Sequence, residues 1–188
     1  MMEVARVGAV EEGISLNSLA NRQLRQYAEW DRVERKLGYV TVRDRVLRSI
    51  LDRLSEDEVI ALGRALGEVE VREYVTFNWR TMSLENFLHF VDNYARYSGQ
   101  FRVEHHREQD HTLVFFHRLG TKWSVYLEAF MNSALEAALG QKASSQRTDE
   151  SVALTFSTQS TRNSGASSPR RGNSRSNNSG REPTKRTK

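Results

Sequence analysis

Apolar residues recur at steps of three and four from Ser15 to about Leu37: Leu16, Leu19, Ala20, Leu24, Tyr27, Trp30, Val33 and Leu37. That spacing lays them along one face of a helix, with Ser15 as its N-cap and Gly38 as its stop. A short β-favouring stretch, Tyr39-Val40-Thr41-Val42, precedes a second helix carrying Val46, Leu47, Ile50, Leu51 and Leu54. Ser55-Glu56-Asp57-Glu58 has the form of a capping box and opens a third helix with Val59, Ile60, Leu62, Ala65 and Leu66, which Gly67 is expected to close. Glu68–Arg80 fits strand over a few residues through its Val/Glu alternation. Val71, Tyr74, Val75 and Trp79 favour a helix there instead.

Further along, Ser83 with Asn86 starts a helix through Leu84, Phe87, Leu88, Val91, Tyr94 and Tyr97, stopped by Ser98-Gly99. Phe101–Arg107 and His111–His117 are β-rich runs joined by Glu108-Gln109-Asp110, a polar connection of hairpin length. Leu113 and Phe115 alternate with Thr112, Val114 and Phe116, so both faces of the second run are largely apolar and at least partly buried. Arg118-Leu119-Gly120-Thr121 turns the chain into a last helix, Lys122–Leu139, ended by Gly140, with Trp123 expected to pack against the sheet. The pattern predicts a mainly α protein with a small α+β part. A two-stranded sheet needs cover, and dimerisation through it is one way to supply that cover.

Charge divides the chain unevenly. From Gln141 to Lys188 ten basic residues face only Asp149, Glu150 and Glu182, a net of +7, whereas the whole chain carries +4 and residues 1–140 therefore carry −3. The high isoelectric point belongs to this terminal segment. The usual argument from a basic protein to a nucleic-acid-binding fold fails for the rest. After Phe156 no large apolar residue occurs, so residues 141–188 are expected to form a disordered basic tail. Its Arg170, Arg171, Arg175, Arg181, Lys185, Arg186 and Lys188 could neutralise phosphates without reading sequence, or serve only to solubilise the chain.

No cysteine is present, which excludes a disulfide framework, a thiolate metal site and a cysteine nucleophile. There is no apolar run near ~20 residues and no signal-peptide pattern, so no membrane association is expected and a cytoplasmic location is.

One short segment carries functional information. Glu11-Glu12-Gly13-Ile14-Ser15-Leu16-Asn17-Ser18-Leu19-Ala20-Asn21-Arg22-Gln23-Leu24 resembles the start of the second helix in ribbon-helix-helix DNA-binding proteins, over about Val4–Tyr27. Gly13 can take the positive φ that ends a helix, and Ser15 can cap the next. The resemblance implies a dimer whose free amides, at Ser15, Leu16, Asn17 and Ser18, hold a DNA phosphate. The family's base-reading strand would lie before Met1, since Val4, Val7 and Val10 at helical spacing occupy the second half of the first helix; no base-reading residue follows from the match. As a whole, the chain also resembles a group of archaeal proteins that join such a motif to a segment of the form His-x-Leu-Gly-x-Lys-Trp-Ser, here His117 to Ser124. That likeness implies architecture and no activity.

The expected organisation is a partial ribbon-helix-helix-like segment at 1–38, a helical linker region at 39–80, an α-β-β-α domain at 81–140 and the tail. The leading expectation for function is a DNA-associated regulator, and the alternative is a protein–protein interaction or dimerisation module without specific DNA binding.

Other constellations weigh less. His105, His106, His111 and His117 gather in the hairpin, but His105 and His106 point to opposite faces of a strand, and His111 and His117 sit ~20 Å apart along one. A cross-strand pair of His105 with His111 depends on register. No metal site and no cofactor are expected, and the histidines read as ordinary polar hairpin positions. Lys122 and Trp123 beside Gly120 could bind an anion but read more simply as a structural turn. Tyr94, Tyr97, Phe101 and Arg102 could stack bases, yet aromatics at helical spacing are more often core. No nucleophile motif or spaced carboxylate pair stands out, so no enzyme is expected.

Overall fold

The computed structural model describes residues 1–157. Its elements are α1 (Met2–Glu11), α2 (Leu16–Gln26), a π-helical turn (Tyr27–Asp31), α3 (Arg32–Leu37), α4 (Asp44–Leu51), α5 (Glu56–Trp79), α6 (Leu84–Ser98), β1 (Arg102–Arg107), β2 (His111–Phe116), α7 (Thr121–Leu139), β3 (Ser144–Arg147) and β4 (Ser151–Phe156). The expected mainly α fold with a small α+β part is what forms.

Helix boundaries follow local chemistry. Ser55 and Glu58 close a reciprocal capping box at the start of α5, and Ser83 accepts the Asn86 amide at the start of α6. Gly38, Gly99 and Gly140 take left-handed φ at the ends of α3, α6 and α7. Tyr39–Val42 remains irregular rather than forming a strand.

Gly67 does not end its helix. α5 continues to Trp79, with Gly63 and Gly67 facing α7 at a distance no Cβ would permit: one at Gly63 would lie 2.6 Å from the Tyr126 carbonyl oxygen. The low helix propensity of glycine, about 1 kcal/mol below alanine, is offset where its missing side chain lets two backbones approach. Residues 39–80, expected as a linker, instead supply Leu51, Val59, Val71, Tyr74 and Val75 to the core.

The sheet has four antiparallel strands in the order β1-β2-β4-β3. Residues 144–156, expected to belong to a disordered tail, contribute two of these strands, and β4 is interior. Val152, Leu154 and Phe156 alternate with Ser151, Ala153 and Thr155, and that apolar row buries fully against the helices. β2 therefore pairs on its second side with β4, Leu113 opposite Leu154 and Phe115 opposite Val152. The cover that dimerisation through the sheet was expected to supply on this side comes from within the chain.

The inner face of the sheet packs on α6 and α7, where Phe101 meets Phe115 edge-on at 5.3 Å and Phe87 meets Phe156 at 6.4 Å. The outer face carries Thr112, Val114, Phe116, Ala153 and Thr155 between polar edge strands, an arrangement suited to water. Arg147 on β3 reaches Glu56 at 2.8 Å and Glu128 at 2.6 Å, tying that edge to α5 and α7.

The N-terminal helices join the same unit through the π turn. There Trp30 is buried among the rings of Tyr39, Tyr74, Tyr94 and Tyr97, the Tyr74 hydroxyl donates to the Glu29 carbonyl at 2.8 Å, and the Tyr97 hydroxyl donates to the Glu29 carboxylate at 2.7 Å. Among the described residues no helix is long and apolar enough to cross a membrane.

Candidate functional site

The turn between α1 and α2 forms as its residues dictate. Gly13 adopts φ +65°, Ser15 takes an extended conformation, and its hydroxyl accepts the Ser18 amide at 3.0 Å. Arg22 holds Glu12 in a two-point ion pair, with Nη2 at 2.8 Å from Oε1, and this guanidinium lowers the Glu12 carboxyl below its ordinary value.

Ser15, Asn17 and Ser18 lie on the surface, while Leu16 turns into a shallow apolar groove with Met2, Ala5, Leu19 and Ala20. The Ser18 amide is spent on the cap. The Leu16 and Asn17 amides, which a helix start leaves without intrahelical partners, stand open to an anion.

Beside this start the hairpin leaves much of its apolar surface uncovered. Val4 (75% exposed), Val7 and Val10 on α1, with Leu24 on α2 and Tyr27 just beyond it, all face solvent. In α1 only Ala9 is fully buried. The seven basic residues Arg170 to Lys188 lie outside the described residues.

The histidine-rich hairpin resolves into two structural pairs. Register sets Arg107 opposite His111, which brings His105 diagonally across to it: Nε2 of His105 is 2.8 Å from Nδ1 of His111, and the rings stack at 5.0 Å. His111 is in turn stacked on Phe156 and is only 3% exposed. Burial lowers both imidazole pKa values, and each ring's charge would oppose the other's. Among the described residues no group of three or more His, Cys, Asp or Glu is placed to hold a metal.

His117 and Ser124, both buried, form the second pair, Nε2 to Oγ at 2.9 Å. This contact has the outline of a nucleophile with its base. The Leu119 amide, however, donates to Nδ1 of His117 at 3.3 Å, which leaves the proton on Nε2 and makes the ring a donor toward Ser124. A donor cannot remove the hydroxyl proton, so the pair is a latch at the start of α7. Lys122 donates to the Leu54 carbonyl and Thr121 donates to Asp149 at 2.9 Å, so this turn is tied to its neighbours. Trp123 meets the ring of Tyr126 at 4.9 Å and lines a groove with α4 and α5.

That groove is what sequence reasoning missed. It lies between the 38–40 segment, α4, α5 and α7, with a volume of about 460 Å³. Leu47, Leu51 and Leu66 contribute aliphatic wall, and Tyr39, Tyr94, Trp123 and Tyr126 contribute rings. Tyr39 donates to the Glu70 carboxylate at 3.1 Å. Burial pushes the Glu70 carboxyl above its ordinary value; the Tyr39 hydrogen bond opposes this and the neighbouring Glu73 adds to it. Burial and the charge of Glu70 push both Tyr39 and Tyr126 well above the usual phenol range. One signal did exist: Glu70 continues the Leu62, Leu66 stripe at four-residue spacing, an acid where the pattern calls for an apolar side chain.

No family model, no curated protein and no solved structure matches the chain.

Proposed function

We propose that this chain is a DNA-associated regulatory protein, cytoplasmic and acting as a dimer. The observation that carries the reading is the uncovered apolar surface of Val4, Val7, Val10, Leu24 and Tyr27 beside a serine-capped, exposed helix start. Two such surfaces brought together would remove the side chains from water at about 25 cal/mol per Å². The pairing would set two copies of the Ser15–Ser18 turn at a fixed separation, each offering amides to a phosphate. The resemblance to ribbon-helix-helix proteins supports the DNA half of this reading. The basic residues from Arg170 to Lys188 would add salt-labile attraction without specificity.

The same apolar surface favours a second reading, a protein–protein interaction module without specific DNA binding, because the body that bears it is net acidic.

A salt-titrated DNA-binding measurement on three full-length proteins separates the two. The first is unaltered; the second has Arg170, Arg171, Arg175, Arg181, Lys185, Arg186 and Lys188 replaced by serine; the third adds Ser18→Asp, which favours a helix start yet repels phosphate. The regulator reading expects the second protein to keep weaker, sequence-dependent binding that the third loses. If the second protein binds no DNA, the interaction reading replaces it, and sedimentation of Val7→Glu should then show the loss of self-association.

A further inference from the structure

We propose that the groove around Glu70 is a binding site for a small organic cation with an apolar body, a protonated or quaternary amine. This does not rest on the DNA reading, since the groove is built by the 37–40 segment and by α4 to α7.

Two observations carry it. First, the cavity has the size and composition of a ligand site, apolar and aromatic with few polar groups, and about 460 Å³ lies within the usual range of about 300–1,000 Å³.

Second, among the described residues the formally charged side chains lining it are Glu70 and Glu73, with no lysine, arginine or histidine. An anion would meet two carboxylates and no counter-charge. A neutral apolar guest would strip water from Glu70 and return nothing to it. A cation supplies the missing charge, and the partly exposed rings of Tyr39 and Tyr126 suit it through their quadrupoles.

Because burial raises the Glu70 carboxyl, part of its population is protonated near the ordinary carboxylate range. A bound cation favours the ionised form, so binding releases a proton and strengthens as pH rises through the raised value.

The test uses the full chain and three probes of matched shape: benzyltrimethylammonium, its uncharged carbon isostere neopentylbenzene, and the anion phenylacetate. Binding is read by calorimetry and by the Trp123 indole N–H resonance. We expect saturable binding of the cation, weakened at least roughly tenfold by Glu70→Gln, with no comparable binding of the other two. Glu70→Gln keeps an acceptor for Tyr39, and circular dichroism confirms its fold.

Absence of saturable cation binding overturns the proposal, as does equal binding of the uncharged isostere or indifference to Glu70→Gln. Binding that emerges only when the basic residues from Arg170 to Lys188 are replaced by serine overturns it too, since the chain's own C-terminal segment would then be the occupant.

Discussion

Gly67 of α5 lies directly against Phe130 of α7: a Cβ at Gly67 would collide with the Phe130 carbonyl oxygen and sit 2.9 Å from its carbonyl carbon. One turn earlier, Gly63 meets Tyr126 and Ala129 in the same way. Two glycines four residues apart thus form a flat strip on α5 against which the backbone of α7 rests. The close crossing places Glu70, one turn beyond Gly67 on α5, beside Tyr126 in the groove wall.

Gly67→Ala should therefore destabilise the protein although alanine is the better helix former. Forcing the helices apart costs typically about 1–3 kcal/mol, and here the obstacle is backbone, which cannot rotate away. Gly8→Ala in α1 meets nothing within 4 Å and should gain up to about 1 kcal/mol instead. Thermal melts of the two variants should shift in opposite directions; a neutral or stabilising Gly67→Ala would contradict the packing.

Removing residues 141–188 should unfold the protein, whereas removing only 158–188 should leave its stability nearly unchanged. The first cut takes away β4, and with it Val152, Leu154 and Phe156, each worth about 1.5–3 kcal/mol when buried. It also leaves β2 with an open edge beside α7. Against a total stability of about 5–15 kcal/mol, that loss takes most of the margin before the opened edge is counted. Amide exchange and proteolysis of the two truncated chains would decide the point.

Glu70→Gln should raise the melting temperature at pH 7. A carboxyl whose folded pKa is raised favours folding while both states are protonated, and that advantage is lost as pH climbs from the unfolded value, ~4.3, through the higher folded one. Glutamine never ionises, so the gap between variant and parent should be widest at neutral pH and shrink toward pH 4. A gap independent of pH would show that Glu70 is not ionising in a buried setting.

Mild acid should weaken the fold through His105, His111 and His117. Burial is the leading cause of the lowered pKa in all three, so the folded state keeps them neutral while the unfolded chain binds protons from about pH 6.5 downward. Stability is complete above that value and is lost as pH falls through the folded ones. His111→Phe preserves the stack on Phe156 and removes one titrating ring, so its melting temperature should fall less between pH 7 and pH 5 than that of the parent. Parallel declines would refute this assignment.

The helices and their ends were legible in the sequence because they are decided by neighbours a few residues apart. Ser15, Ser55 and Ser83 cap through bonds to residues three ahead, and Gly38, Gly99 and Gly140 stop through left-handed turns at the helix end. The hairpin was legible for the same reason. The terminal hairpin was hidden by composition: Ser151–Phe156 alternates well enough for a strand but sits among serines, glutamines and threonines. Moving the boundary leaves the charge division intact, since residues 141–157 contain Lys142 and Arg147 against Asp149 and Glu150.

By itself, then, the sequence determined the serine caps and the glycine stops at Gly38, Gly99 and Gly140, the turn before α2 and the separation of an acidic body from a basic terminus. These depend on local hydrogen bonding and on simple charge. Only the tertiary structure decided that Gly67 joins helices instead of ending one, that His105 finds His111, that β4 completes the sheet, and that Glu70 faces Tyr39 in an aromatic groove. Each of those depends on groups that packing brings together from distant parts of the chain, where no local pattern records the partner.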